Sequence, residues 1–331
     1  MKLLAKTAEE RYQSALGLRA DLEHCAREWT DHGKITPFAL GQQDLSDRFI
    51  VAQHLYGREQ QLDELLRAFD QTCQGQSACV LVAGYAGIGK TTLIQELYKP
   101  LVRQRGYFVA GKFDQLARNI PYHAFIQALQ QLVQRLLAEG EEHLRVWRGQ
   151  LAAALGVNGG VLAEVLPEIE LILGQQPPVA PLRPTEAQNR FILVVQNFLS
   201  VLATPEHPLV VFLDDLQWVD AATLSLLPPL LTNPALRCVL LIGAYRDNEV
   251  DADHPLRQTQ AALAQAGAQL HHITLPPLGR EALTRLVQES LHGERAEAYP
   301  LATLLQRKTD GNPFLCDSVP ENAASGRLHH V

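Results

Sequence analysis

A glycine-rich segment, residues 84–91, constrains the fold of this chain more than any other part of its sequence. It reads Gly-Tyr-Ala-Gly-Ile-Gly-Lys-Thr and fits the spacing G-x-x-x-x-G-K-[ST]. A short apolar run at 79–83 precedes it, and a helical pattern follows from Lys90 to Lys99, where Pro100 is expected to stop it. A strand, a tight turn and a helix in this order predict a loop whose backbone N–H groups surround a phosphate.

Each residue type in the loop has a physical task in binding a nucleotide, for which we expect ATP with Mg²⁺. The glycines let the backbone curl inward, and the ammonium of Lys90 can reach the β- and γ-phosphates. The Thr91 hydroxyl is a ligand for Mg²⁺, and Thr92 is the next hydrogen-bonding neighbour. The predicted nucleotide contacts here are Gly84, Ala86, Gly87, Ile88, Gly89, Lys90, Thr91 and Thr92. The alternative is a chance match, which the flanking strand and helix disfavour.

Further apolar runs predict the sheet around this loop. They lie at 107–110, 209–213, 239–244 and, more weakly, 273–275, and they alternate with helical patterns. Short, fully apolar strands between helices are typical of a parallel sheet covered on both faces. A helix-rich insert precedes the run at 209–213, and its last helix is predicted at 186–203 with a capping box of Thr185 and Gln188.

Two aspartates follow the apolar run at 209–213. A carboxylate there lies at the carboxyl edge of the sheet, where open α/β sheets bind ligands. Asp214 is a natural holder of Mg²⁺, which keeps most of its waters, and Asp215 is placed to orient or polarise an attacking water. The alternative is an ordinary strand-ending turn, since aspartate pairs often occur there.

Arg246 follows the run at 239–244 and is expected at the same edge of the sheet. An arginine there can sense the γ-phosphate and stabilise the charge of the transition state. Asp215, Lys90 and Arg246 are therefore the predicted catalytic residues. The alternative for Arg246 is a surface salt bridge with Asp247 or Glu249.

Composition narrows the functional classes. The 331-residue chain is 47% hydrophobic with a formal net charge of −7, so the basic stripe of a nucleic-acid binder is missing. Five cysteines at scattered positions have no zinc-like spacing, and reduced thiols in a cytoplasm are the simplest interpretation. We expect neither a signal peptide nor a membrane span.

These motifs together resemble the AAA-like ATPase module of the STAND class, the signal-transduction ATPases with numerous domains. More narrowly, they resemble the module in bacterial hybrid proteins that join a serine/threonine kinase, an ATPase, sensor domains and a histidine kinase. The matching stretches are 55–59 (Leu-Tyr-Gly-Arg-Glu), 82–92, 213–220 (Leu-Asp-Asp-Leu-Gln-Trp-Val-Asp), 243–247 (Gly-Ala-Tyr-Arg-Asp) and 310–314 (Asp-Gly-Asn-Pro-Phe). Together they span most of the chain.

The resemblance implies more than the residues alone. It implies the P-loop NTPase fold: a parallel five-stranded sheet in the additional-strand order, flanked by helices, with a helical insert and a partial C-terminal helical lid. The strand before Arg246 would lie between the P-loop strand and the Asp214 strand. Gly57 and Arg58 become candidate contacts on the adenine side, and Pro313 a lid contact, for which a plain loop turn is the equal alternative.

The resemblance also divides the chain. Residues 1–29, with a capping box of Thr7 and Glu10, resemble the end of a protein kinase domain, and 30–54 form a linker. Residues 55–275 form the ATPase core, 276–315 the partial lid and 316–331 a disordered tail. No Gly-rich kinase loop, His-Arg-Asp or Asp-Phe-Gly is present, so kinase activity is not expected.

Three functions compete at this point. The first is a switch that binds Mg-ATP and hydrolyses it slowly, with fused kinase and sensor domains as partners. The second is a nucleotide-binding scaffold that never hydrolyses. The third is a DNA-associated AAA ATPase, which the acidic charge and the lack of a helix-turn-helix disfavour. A GTPase is disfavoured because no guanine-reading Asn-Lys-x-Asp segment occurs.

Overall fold

The computed structural model describes residues 2–4, 11–12, 15–40, 55–291 and 294–317. The predicted capping box of Thr7 and Glu10 lies outside these residues. Contacts divide the chain into two compact units: residues 58–276 form one, and the segments before and after them form the other. No helix in the described ranges is both long and apolar enough to cross a bilayer.

The unit of residues 58–276 is built on one five-stranded parallel sheet in the order β2-β3-β4-β1-β5. The strands are β1 (Ala78–Ala83), β2 (Tyr107–Lys112), β3 (Leu209–Asp214), β4 (Val239–Tyr245) and β5 (Leu270–Thr274). Every residue of β1 and β4 is buried, as expected for strands covered on both faces. The predicted fold is confirmed, including the place of β4 between the P-loop strand and the Asp214 strand.

The register of the strands brings their carboxyl ends to one edge. Ala83 pairs with Tyr245, and Leu213 pairs with Gly243. Lys112 at the end of β2 pairs with Asp214 at the end of β3. Residues that follow these strands are therefore neighbours at this edge of the sheet, although they are far apart in sequence.

Helices cover both faces of the sheet and form the insert between β2 and β3. They are α2 (Glu59–Cys73), α3 (Lys90–Gln95), α4 (Tyr98–Arg103), α5 (His123–Leu137), α6 (Glu141–Leu155), α7 (Gly159–Val165), α8 (Glu170–Leu173), α9 (Pro184–Leu202), α10 (Ala221–Leu231) and α11 (Pro255–Gln265). A continuous apolar cluster joins the sheet to α5, α6, α9 and α10. The insert therefore shares the core of the sheet that it interrupts.

Two predicted helix boundaries are wrong, and proline explains both. The helix from Lys90 does not run to Pro100 but ends at Gln95, and Pro100 lies in the first turn of α4. Its missing N–H costs little there, because the first four N–H groups of a helix have no intrahelical acceptor. The capping box of Thr185 and Gln188 is also wrong. Helix α9 begins at Pro184, and the Glu186 carboxylate accepts the N–H of Arg183 at 3.3 Å.

Strand β2 lies at an edge of the sheet, and side chains of α5 cover its backbone. The Gln131 carboxamide accepts the N–H of Ala110 at 3.0 Å and donates to the Ala110 carbonyl at 2.8 Å. One turn earlier, the Gln127 Oε1 accepts the N–H of Lys112 at 3.3 Å. These glutamines thus bond to edge groups that have no neighbouring strand.

The second unit is helical where the structure describes it. Its helices are α1 (Ala15–His32), α12 (Arg280–Leu291), α13 (Arg295–Thr309) and α14 (Pro313–Asp317). Helices α12 and α13 pack together over a small apolar core that includes Tyr56, Leu283 and Val287. The Tyr56 hydroxyl donates to Glu289 at 2.7 Å, which ties the segment before residue 58 to α12.

Candidate functional site

The glycine-rich loop forms a compact turn between β1 and α3. Gly84, Gly87 and Gly89 have φ angles of 154°, 75° and 99°, which residues with a side chain rarely adopt. A Cβ on Gly84 would lie 2.9 Å from the Ile88 Cγ2 and 3.0 Å from the Leu275 carbonyl oxygen. The turn is therefore curled and not extended, as a loop that wraps an anion requires.

Lys90 begins α3 and is only 9% exposed. Its ammonium donates to the carbonyls of Gly84 at 2.7 Å and Tyr85 at 2.9 Å, so it closes the loop on itself. Burial lowers the pKa of Lys90, while the charges of Asp214 and Asp215 raise it. The ammonium therefore lies within electrostatic range of both carboxylates.

The loop presents different residues to solvent and to the core. Tyr85, Ala86 and Gly87 are exposed at its tip, and Ile88 is buried beneath it. Thr91 and Thr92 are exposed on the first turn of α3. The two hydroxyls are thus accessible beside the loop, as a metal ligand and its neighbour would need to be.

Asp214 is the last residue of β3, and its side chain is partly buried. Its Oδ1 accepts the N–H of Asp215 at 2.9 Å. Burial, followed by the charge of Asp215, raises the pKa of Asp214, and the nearby lysines at 90 and 112 lower it. This carboxylate is therefore in a position where a cation would stabilise its charged form.

Asp215 lies at the centre of a cluster of polar side chains. Its backbone has φ of 56°, a left-handed conformation that aspartate tolerates better than most residues. Its carboxylate contacts Gln217 Nε2 at 2.8 Å, Lys112 Nζ at 3.2 Å and Arg246 Nε at 3.8 Å. The predicted catalytic carboxylate and the predicted arginine therefore lie side by side.

Arg246 follows β4 and makes two ion pairs. One is with Asp215, and the other joins its NH1 to Glu249 at 2.8 Å. The backbone N–H of Arg246 donates to Gln217 Oε1 at 3.2 Å. The salt bridge with Glu249 that the sequence offered as an alternative thus coexists with a place beside Asp215.

The residues that only the resemblance nominated have other surroundings. Arg58 is 3% exposed and donates to the carbonyl of Pro276, and its burial lowers the pKa of Arg58. Pro276 follows Leu275, which packs against Gly84, so Arg58 holds the chain beside the loop. Gly57 and Pro313 belong to the other compact unit, where Pro313 is the first residue of α14.

Sequence reasoning missed Lys112 and Gln217. The predicted strand ended at Ala110, whereas β2 continues to Lys112 at the edge that carries Asp214. An extended β2 would have revealed this lysine. Gln217 stands in a stretch that the resemblance already included, but an uncharged side chain gives no sign that it contacts a carboxylate.

With this geometry in place, comparison with known proteins defines the class. Residues 54–242, more than half of the chain, match the AAA ATPase domain family. The chain therefore belongs to that family.

Two curated relatives are named as histidine kinases. Hybrid signal transduction histidine kinase G of Dictyostelium discoideum is 35% identical over 246 residues, which cover 68% of this chain and 7% of that protein. Histidine protein kinase 1 of Candida albicans is 21% identical over 267 residues, which cover 69% of this chain and 11% of that protein. The chain thus spans a small fraction of the length of these relatives.

Solved structures also match this chain at low sequence identity. The Drosophila ORC bound to DNA matches with a TM-score of 0.47 at 13% identity, over 94% of this chain and 68% of that chain. The Cdc6p of Pyrobaculum aerophilum matches with a TM-score of 0.43 at 16% identity, over 73% of this chain and 51% of that chain.

Proposed function

We propose that this chain is a STAND-class ATPase module that binds Mg-ATP and hydrolyses it slowly as a regulatory switch. The observation that carries the proposal is the convergence of Lys90, Asp214, Asp215 and Arg246 at the carboxyl edge of the sheet. These are the charges that phosphoryl transfer to water needs: a cation for phosphate, a holder of metal, an acceptor for a proton and an arginine.

The residues present fit a nucleotide with its metal ion. The curled loop around Gly84 has the shape of an anion cradle, and the residues of 84–92 named above would hold the phosphates. Thr91 and Asp214 offer hydroxyl and carboxylate oxygens, which Mg²⁺ prefers, and they would hold the ion beside the phosphate loop. Bound there, Mg²⁺ would neutralise phosphate charge. A divalent cation would also relieve the burial and repulsion that raise the pKa of Asp214.

The remaining steps belong to protein side chains. Asp215 would orient the attacking water and accept its proton at a carboxylate oxygen. Arg246, 3.8 Å from that carboxylate, would stabilise charge that develops on the transferring phosphoryl group. Lys90 would exchange its bonds to the loop carbonyls for bonds to phosphate oxygens, which are charge-assisted and stronger.

The setting we propose is a larger signalling protein in the cytoplasm. Fused kinase and sensor domains are the expected partners, and the histidine kinases among the relatives support this. The bacterial hybrid architecture stays a prediction. Nucleic acid is disfavoured as a partner by the net charge of −7.

A non-hydrolysing scaffold is the second candidate. The observation that favours it is the engagement of Asp215, whose carboxylate contacts Lys112, Gln217 and Arg246. These three contacts leave the carboxylate less free to turn toward a water than an unpaired carboxylate would be.

The test compares ATP binding with phosphate release in the purified chain. Asp215→Asn should keep the affinity for Mg-ATP and lose turnover, because the amide no longer accepts a proton. Asp63→Asn is the matched control, since Asp63 is exposed on α2 in an ion pair with Arg67 and should have wild-type turnover. If the wild-type chain binds ATP but releases no phosphate, the scaffold is favoured. Intact hydrolysis in the Asp215 variant would assign the water-positioning role to another residue.

A further inference from the structure

Gln217 connects the two strand ends that carry Asp215 and Arg246. It lies in the short 3₁₀ turn Leu216–Trp218 directly after β3, and it is 2% exposed. Its Nε2 donates to Asp215 Oδ1 at 2.8 Å, and its Oε1 accepts the backbone N–H of Arg246 at 3.2 Å. One buried carboxamide therefore bridges the predicted water-orienting carboxylate and the chain that carries the predicted arginine.

The orientation of this carboxamide is fixed by its partners. A carboxylate oxygen needs a donor and a backbone N–H needs an acceptor, so a flipped amide would lose both bonds. A buried polar group without partners is costly, and burial keeps water from replacing either bond. The Gln217 side chain consequently has one stable arrangement in this environment.

The backbone of Gln217 is held from a third direction. His254 Nε2 lies 3.2 Å from the Gln217 carbonyl oxygen, while its Nδ1 accepts the N–H of Leu256 at the start of α11. Because Nδ1 accepts, Nε2 carries the proton and donates to Gln217. The glutamine is thus anchored to the residue after β3, the residue after β4 and the residue before α11.

The contact with Gln217 is the best-formed one of the Asp215 side chain among those the structure describes. Lys112 approaches at 3.2 Å, but its side chain is 69% exposed, so solvent screens the pair. Arg246 Nε is at 3.8 Å, which is beyond hydrogen-bond distance. The bond from Gln217 is both shorter and buried, so it sets the direction of the carboxylate more firmly.

We propose that Gln217 is a positioning residue that aims the Asp215 carboxylate at water and couples it to the Arg246 segment. This inference rests on the hydrolytic function proposed above. Gln217 touches neither nucleotide nor water in this role; it acts through Oδ1 of Asp215 and leaves Oδ2 on the Lys112 side. Its loss should therefore impair turnover and leave nucleotide affinity intact.

The test substitutes Gln217→Glu, which keeps the shape and the acceptor for Arg246 but turns the donor to Asp215 into a second carboxylate oxygen. We expect the dissociation constant for Mg-ATP to change by less than about twofold and kcat to fall by about tenfold or more, since like charges in contact repel. Gln217→Met is the second variant: it removes both bonds without adding buried charge, and it should show the same split.

Gln260→Glu is the matched control. Gln260 is also buried in this unit, on α11, and its Nε2 has no hydrogen-bond partner among the described residues. Its Oε1 lies 3.3 Å from Arg257, which would balance the new charge. This variant adds the same charge to a glutamine for which no hydrogen bond to Asp215, Gln217 or Arg246 is found among the described residues, and it should have wild-type turnover.

The possible results separate the inference from the proposed function. Wild-type kcat in both Gln217 variants, together with an inactive Asp215→Asn protein, overturns the positioning role and leaves the function standing. A parallel fall in affinity, turnover and melting temperature shows a merely structural glutamine and also overturns it. Absence of phosphate release from the wild-type chain overturns both.

Discussion

Adding one methyl group in the middle of β4 should disturb the site by displacing buried side chains that pack beneath its residues. In Gly243→Ala, the new Cβ would lie 2.3 Å from Leu216 Cδ1 and 2.9 Å from Leu81 Cδ2. Leu216 is fully buried and Leu81 is 3% exposed, so neither side chain has room to move away. Overpacking of this kind costs about 1–3 kcal/mol.

The cost should appear in the melting temperature and in catalysis. For a domain of this size about 1 kcal/mol lowers the melting temperature by about 2–4 °C, so a fall of about 2–12 °C is expected. Leu216 stands between Asp215 and Gln217 in the chain, and its displacement would move both. Turnover should therefore fall by a larger factor than affinity for Mg-ATP.

Calorimetric melting of matched variants tests this reasoning. Gly149→Ala is the control, because Gly149 lies exposed in α6, and an added Cβ would have no atom within 4 Å apart from its chain neighbours and the backbone of its own helix. Its free energy of unfolding should rise by about 0.5–1 kcal/mol, because alanine is a better helix former than glycine. Leu216→Val removes the clashing Cδ1 and should partly rescue Gly243→Ala. Wild-type melting of Gly243→Ala, or purely additive effects in the double variant, would refute the steric argument.

Four further outcomes follow from the site and the core. Lys90→Ala should weaken Mg-ATP binding by about 10- to 150-fold in calorimetry, because a charged hydrogen bond contributes about 1.5–3 kcal/mol. Wild-type affinity would contradict the assignment of residues 84–91 as a phosphate-binding loop. Arg246→Ala should lower phosphate release by about 10³-fold, and a change of only a few fold would make the arginine structural. Burial raises the pKa of Cys79 to about 12, so iodoacetamide at pH 8 should leave Cys79 unlabelled in mass spectra until the protein is denatured. The pKa of Asp214 is raised in the folded chain, so the protonated form favours folding, and ionisation lowers stability as pH rises through that pKa. Asp214→Asn without nucleotide or Mg²⁺ should therefore have a higher melting temperature than wild type at neutral pH. A lower melting temperature would contradict the direction of this pKa shift.

The sequence predicted the central strands well because they are buried on both faces. Strand β4 is an unbroken apolar run, and a short run of this kind between helical patterns is typical of a strand in the middle of a parallel sheet. The edge strand β5 was located less accurately, at 273–275 instead of Leu270–Thr274. Its His271 and His272 are exposed, so the strand lacks a continuous apolar signal.

The candidate site was predictable where charged residues directly follow an apolar strand. The loop with Lys90, the aspartates after β3 and Arg246 after β4 each follow an apolar run, and parallel strands bring such positions together. Gln217 and Lys112 were not predictable in this way. Lys112 meets Asp215, and Gln217 meets the N–H of Arg246, only because the strand register brings distant parts of the chain together.

The glutamines of α5 also affect how this domain meets other molecules. Gln131 bonds to the N–H and the carbonyl of Ala110, and Gln127 bonds to the N–H of Lys112. These glutamines cover part of the β2 edge of the sheet in place of a further strand. An extended peptide that added itself to β2 would have to displace them first, so the glutamines protect this edge of the sheet from strand addition.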